Sequence, residues 1–146
     1  MNMLKPVCSY TSNYKFIENV KFHANKKACN CAPVLIVDDS SFNLFTLSSL
    51  LNMLSVKSDQ ATNGEIAIST ILKSSKCQAC RGYSLIFMDC EMPVKNGYDT
   101  SKELTEMMSH NTIKMTKIVA LTGHMGEEEM KKCVDHGMCE FCIYFK

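Results

Sequence analysis

The residues of this sequence best placed to do chemistry together are Asp38, Asp39, Asp89 and Thr122. Each stands at the end of a short β-rich apolar run. Val34-Leu35-Ile36-Val37 leads into Asp38-Asp39, Leu85-Ile86-Phe87-Met88 into Asp89, and Ile118-Val119-Ala120-Leu121 into Thr122. Such runs suit strands buried on both faces, as in a parallel sheet. Parallel strands share one carboxyl edge, which is where open α/β sheets hold their ligands. If these strands are neighbours, three carboxylates and a hydroxyl meet there. At ~5 Å and an effective dielectric of ~20, each carboxylate pair repels by roughly 3 kcal/mol. A hard divalent cation removes that repulsion. Mg²⁺ takes oxygen ligands, keeps waters and brings phosphoryl oxygens with it. Thr122 has a hydroxyl that suits a phosphoryl oxygen. Taken singly, each acid reads as a helix cap or turn residue; the set reads as a magnesium site.

The segments between the runs supply the crossovers. Ser40 can cap a helix over residues 41–55, where Phe42, Phe45, Leu47, Leu50, Leu51 and Leu54 recur at helical spacing. Residues 56–61 read as a weaker strand. Asn63-Gly64 reads as a turn, followed by a helix from Glu65 to Leu72 with Ile68, Ile71 and Leu72 inward. Residues 73–82 are a polar loop. After Asp89, Pro93 stiffens the chain and Asn96-Gly97 reads as a second turn. Asp99 to Met108 is a helix with Leu104, Met107 and Met108 as its apolar stripe. A helix from Glu127 to His136 carries acids in its first turn and lysines further on, as the helix dipole prefers, and Gly137 stops it. Residues 140–145 form the last strand. Strand and helix alternate, so the expected class is α/β: a doubly wound parallel five-stranded sheet with right-handed crossovers. Residues 1–32 show no clean period and read as an N-terminal extension or linker, with the domain over 33–146.

The chain has 146 residues and a net charge of +1. That is enough for one core, and it gives no basic field arguing for nucleic acid. No apolar run reaches the ~18–20 residues of a spanning helix, and no signal peptide is apparent, so a cytoplasmic protein without a membrane segment is expected. Nine cysteines is a high and odd number, read as reduced thiols. Cys77/Cys80 and Cys139/Cys142 have Cys-x-x-Cys spacing. A zinc site shared by these pairs is disfavoured, because Cys139 and Cys142 lie in or beside an apolar strand-like run. Cys29-Asn-Cys31 adds little to that reading.

The motifs Val-Leu-Ile-Val-Asp38-Asp39, Leu-Ile-Phe-Met-Asp89-Cys-Glu-Met-Pro93-Val-Lys-Asn-Gly97, Ile-Val-Ala-Leu-Thr122-Gly and Gly137-Met-Cys-Glu-Phe141 resemble the receiver domain of two-component response regulators. They are similar in style to receivers of eukaryotic hybrid histidine kinases, and the resemblance runs from about residue 33 to the C-terminus. It implies a flavodoxin-like fold and a phosphorelay role. Asp89 would accept a phosphoryl group from a phosphohistidine on a histidine kinase or histidine phosphotransfer protein. Asp39 would bind Mg²⁺ directly, Asp38 through water, and Glu91 through its backbone carbonyl. Thr122 would hydrogen-bond the acyl phosphate, and Phe141 is the aromatic that rotates with it. Gly123 leaves room beside the threonine. No separate catalytic activity is expected.

The sequence departs from that family twice. Where the family has lysine then proline after the aromatic, Tyr144 and Phe145 stand here, and Lys146 is the nearest candidate for the phosphoryl contact. The sequence also ends where the family's final helix would follow. About 400 Å² of apolar burial lost at ~25 cal/mol/Å² is about 10 kcal/mol, comparable with the whole stability of a domain. The expectation is marginal stability, self-association through an uncovered last strand, or cover from Tyr14 to Phe22; a truncated product or fragment accounts for the missing helix equally well. No helix-turn-helix or kinase nucleotide motif is seen, so neither DNA binding nor kinase activity is expected. Two rival readings remain: an unphosphorylated pseudo-receiver, and a Mg²⁺-dependent phosphotransferase for small molecules, for which Glu91 is a poor general acid.

Overall fold

The apolar runs lie side by side as parallel strands in a computed structural model that describes residues 29–123 and 126–143. The elements are β1 (Val34–Val37), α1 (Ser41–Met53), β2 (Ser58–Ala61), α2 (Gly64–Ser74), β3 (Leu85–Asp89), α3 (Gly97–Ser109), β4 (Lys117–Thr122), α4 (Glu127–Asp135) and β5 (Glu140–Ile143). The sheet has five strands in the order β2-β1-β3-β4-β5, every pair parallel. This is the flavodoxin-like arrangement expected. Most of the N-terminal extension, with Tyr14 to Phe22, lies outside the described residues, as do Tyr144, Phe145 and Lys146 and the side chain of Phe141.

Alternation along the strands sends side chains to two cores. Leu35, Val37, Ile86, Met88, Ile118 and Ala120 pack with Ala67, Ile68 and Ile71 of α2, Leu104 and Met108 of α3, and Cys133 of α4. Val34, Ile36, Leu85, Phe87, Val119 and Leu121 pack on the other face with Leu44 and Leu51 of α1. On the half of that face toward β5, Phe87, Val119 and Leu121 are 7%, 2% and 5% exposed; the side chains of the last strand, where the uncovered surface is expected, lie outside the described residues.

Two local expectations need correction. The stripe of α1 that meets the sheet is Leu44, Leu47, Leu51 and Leu54, whereas Phe42 and Phe45 are 74% and 70% exposed. This helix is apolar almost all round, so period alone does not choose its inner face. The two Asn-Gly pairs are helix starts rather than free turns. Asn63 Oδ1 accepts from Ile66 N–H at 3.0 Å, and Asn96 Oδ1 from Asp99 N–H at 2.9 Å. An asparagine at the N-cap satisfies a backbone donor that the first turn leaves over.

Candidate functional site

Strand register places the acids. Val37 pairs with Met88 across β1 and β3, so Asp38 and Asp89, each one residue further on, end level with one another. Neighbouring strands run about 4.8 Å apart. One carboxylate oxygen from each of Asp38, Asp39 and Asp89 lies within 4.8 Å of the other two. Asp38 and Asp89 are buried, at 0% and 1% exposure, and Asp39 is exposed.

The local chain fixes each of these groups. Asp38 Oδ1 accepts from Ser40 N–H at 2.8 Å, and the Asn43 amide donates to Oδ1 and Oδ2 at 3.2 and 3.1 Å. Asp38 is thus oriented by the start of α1, whose cap is Ser40. Asp89 Oδ1 accepts from Glu91 N–H at 3.2 Å, while Oδ2 is buried. Cys90 N–H donates to Leu121 O at 3.2 Å, carrying the β3–β4 ladder past the acceptor candidate. The loop then returns on itself: Gly97 N–H donates to Cys90 O at 3.0 Å. A Cβ at position 97 would sit 2.1 Å from the Asp89 carbonyl oxygen, so the first turn of α3 lies directly on the Asp89 backbone. Val94 takes φ 71°, a left-handed conformation that costs a β-branched residue on the order of 1–3 kcal/mol.

Thr122 ends β4, half-buried, one residue beyond the Leu121 that pairs with Asp89. The backbone of Phe141 lies in β5 opposite Ala120. Two lysines near the loop are engaged elsewhere. Lys95 forms an ion pair with Glu103, and the Lys132 ammonium lies 3.9 Å from the centre of the Tyr98 ring. Beneath the loop, Cys90 and Cys133 bring their sulfurs to 3.9 Å. The Cys133 thiol and burial raise the Cys90 thiol well above its usual range.

These donors suit Mg²⁺. All are carboxylate oxygens, the ligand type this ion prefers. Oxygens on an octahedral ion with ~2.1 Å bonds lie about 3.0 Å apart at adjacent positions and about 4.2 Å at opposite ones. A 4.8 Å span closes to that range by small side-chain rotations, or by a water standing in for one acid.

The structure also joins residues that sequence spacing did not. Cys77 and Cys80 meet Cys29 and Cys31, with one sulfur from each within 4.8 Å of the rest. The pairing considered with Cys139 and Cys142 is therefore replaced, because β1 and β3 are neighbours and bring their preceding segments together.

The sequence profile of the response regulator receiver domain matches residues 34–143. Hybrid signal transduction histidine kinase L of Dictyostelium discoideum is 32% identical over 108 residues, which are 74% of this chain and 6% of that protein. The chain thus spans a small fraction of that relative's length. The fold is similar to the receiver domain of the histidine kinase CKI1 from Arabidopsis thaliana complexed with Mg²⁺, at 26% identity and TM-score 0.69, covering 77% of this chain and 82% of that one. It is also similar to a chain in the co-crystal structure of the Saccharomyces cerevisiae histidine phosphotransfer protein Ypd1 and the receiver domain of its downstream response regulator Ssk1. There the identity is 26% and the TM-score 0.67, covering 78% and 81% of the two chains. With that profile matched from the first strand to the last, this chain belongs to the response regulator receiver domain family.

Proposed function

We propose that Asp89 accepts a phosphoryl group from a phosphohistidine, with Mg²⁺ held by Asp38, Asp39, Asp89 and the backbone carbonyl of Glu91. The observation that carries this reading is the meeting of three carboxylates at one rim, with Asp89 buried at the end of the central strand. An Asp89 oxygen attacks phosphorus while the phosphorus–nitrogen bond breaks. The imidazole leaves with the bonding pair and the aspartyl phosphate remains. When bound, the metal offsets charge on the phosphoryl oxygens. Asp38, held by Ser40 and Asn43, keeps its carboxylate aimed at the site, and exposed Asp39 is free to ligate directly. The Thr122 hydroxyl donates to a phosphoryl oxygen. Phe141 follows it inward, and Lys146 supplies the remaining contact. The chain then acts as a switch for a partner and has no separate catalytic activity.

The Ypd1–Ssk1 structure supports a histidine phosphotransfer protein as the partner. Phe42 and Phe45, on the helix that begins beside Asp39, offer that partner apolar surface. No described helix is long and apolar enough to cross a membrane. The described cysteines are free thiols, the state that a reducing, cytoplasmic setting keeps. The test is transfer from labelled phosphoramidate to the whole chain. Wild type with Mg²⁺ should label; Asp89→Asn, or wild type with chelator, should not. Labelling of Asp89→Asn to the wild-type level would sink the assignment. Tyr144 in place of the family's lysine favours a second reading, an unphosphorylated interaction module. That reading requires no labelling of wild type at all.

A further inference from the structure

The edge of the sheet opposite the acids carries a second ligand set. Residues 29–33 lead into β1, and residues 75–84 lead from α2 into β3. These strands are parallel neighbours, so both leads end at the amino edge. Pro33 O accepts from Ser84 N–H at 2.8 Å and from Leu85 N–H at 3.3 Å, which locks the two leads together. Cys29 and Cys31 stand on one lead, Cys77 and Cys80 on the other. All four are half-buried, while Asn30, Gln78 and Ala79 between them are exposed. The chain turns the sulfurs inward and the spacers out.

We propose that Cys29, Cys31, Cys77 and Cys80 form a structural tetrathiolate site for Zn²⁺. Their sulfurs lie within 4.8 Å of one another. Four sulfurs at ~2.3 Å from a tetrahedral zinc stand about 3.8 Å apart, so the set contracts by at most about 1 Å on binding. Four protein ligands close the coordination sphere and leave no position for substrate, which makes the site structural. The loop is built to hold its shape. Arg81 N–H donates to Cys77 O at 2.7 Å, and Arg81 (φ 56°) and Gly82 (φ 104°) then reverse the chain in left-handed conformations. The Lys114 ammonium donates to Cys80 O at 2.9 Å and Gly82 O at 2.7 Å, tying the loop down from the segment before β4. It also places a positive charge beside a centre that would carry a charge of about −2 as Zn²⁺ with four thiolates.

A disulfide pair is the competing use of such thiols; all four cysteines are free thiols in this structure. Binding the metal displaces the protons that these thiols hold.

The experiment uses the full chain, purified under reducing conditions with Zn²⁺ and then dialysed. One zinc per chain is expected, released in step with four thiols as an organomercurial is added. Co²⁺ in place of zinc should give the strong visible bands of a tetrahedral thiolate centre. Cys77→Ser and the double variant Cys29→Ser/Cys31→Ser should lose the metal and the cobalt bands. Cys139→Ser and Asp39→Asn should keep both, which separates this site from the acidic one. A metal-free wild type would overturn the proposal, as would zinc retained by the Cys29/Cys31 variant, or disulfides in place of reactive thiols. If the serine variants fail to fold, the organomercurial titration of wild type decides alone.

Discussion

Replacing Gly97 with alanine sets two effects of opposite sign against each other. Glycine inside a helix costs about 1 kcal/mol relative to alanine, so propensity alone predicts a more stable protein. The structure predicts the reverse. The new Cβ would lie 2.1 Å from Asp89 O, 2.9 Å from Asp89 C and 3.0 Å from Cys90 Cα, all backbone atoms that cannot rotate away. A tolerable carbon–oxygen contact is at least ~3.1 Å, so α3 and the end of β3 must part by about 1 Å. Overpacking of this kind costs about 1–3 kcal/mol and outweighs the propensity gain. With a urea slope of about 1.5 kcal/mol/M, a net loss of ~1.5 kcal/mol moves the unfolding midpoint down by about 1 M. The same displacement moves Asp89, the proposed acceptor, and a shift of ~1 Å in reacting geometry can cost about 100-fold in rate. Urea unfolding followed by circular dichroism, with phosphoramidate labelling of the folded fraction, measures both. An unchanged or raised midpoint together with wild-type labelling would refute the packing of α3 on the Asp89 backbone.

Three further outcomes follow from other parts of the fold. Leu51→Ala should lower stability by about 2–4 kcal/mol, and Phe42→Ser should change it by less than ~0.5 kcal/mol, because α1 buries the first and exposes the second; chemical denaturation distinguishes them. Asn43→Leu removes both amide bonds to the buried Asp38 carboxylate and should cost about 1–3 kcal/mol in denaturation, with weaker Mg²⁺ binding in a thermal-shift titration. Tyr83 donates to Asp59 Oδ2 at 2.6 Å, and burial, then that bond, raise its phenol above the usual range near 10. The folded chain holds this proton more tightly than the unfolded one. The resulting stabilisation is present below pH ~10 and is lost as pH rises through the folded value. Tyr83→Phe should flatten that alkaline decline in a series of melts, at a cost near neutral pH of about 1 kcal/mol.

The acidic rim was legible because its logic is topological. Asp38, Asp89 and Thr122 directly end β-rich runs, and alternation with helices makes those runs parallel, so convergence follows without any side-chain detail. The inner face of α1 was not legible. Phe42, Leu44, Phe45, Leu47, Leu50, Leu51, Met53 and Leu54 surround the helix, and only the position of the sheet selects Leu44, Leu47, Leu51 and Leu54. The Asn-Gly pairs carry turn chemistry that also serves as an N-cap, and local sequence does not separate these uses. The cysteine partners depend on strand order. The matching Cys-x-x-Cys spacings of Cys77/Cys80 and Cys139/Cys142 do not say which cysteines meet, while the adjacency of β1 and β3 brings Cys29 and Cys31 to the Cys77 loop.

The oxygen set and the sulfur set stand at opposite ends of the same short strands, about 15 Å apart for a run of five residues. One end is chemically hard and the other soft, so the two sort ions by affinity without competing for them. A thiophilic contaminant such as cadmium would settle at the amino end and leave the carboxylate end to the alkaline-earth pool. Loss of the fold's grip on its first strand and loss of signalling would then be separate injuries, with separate antidotes.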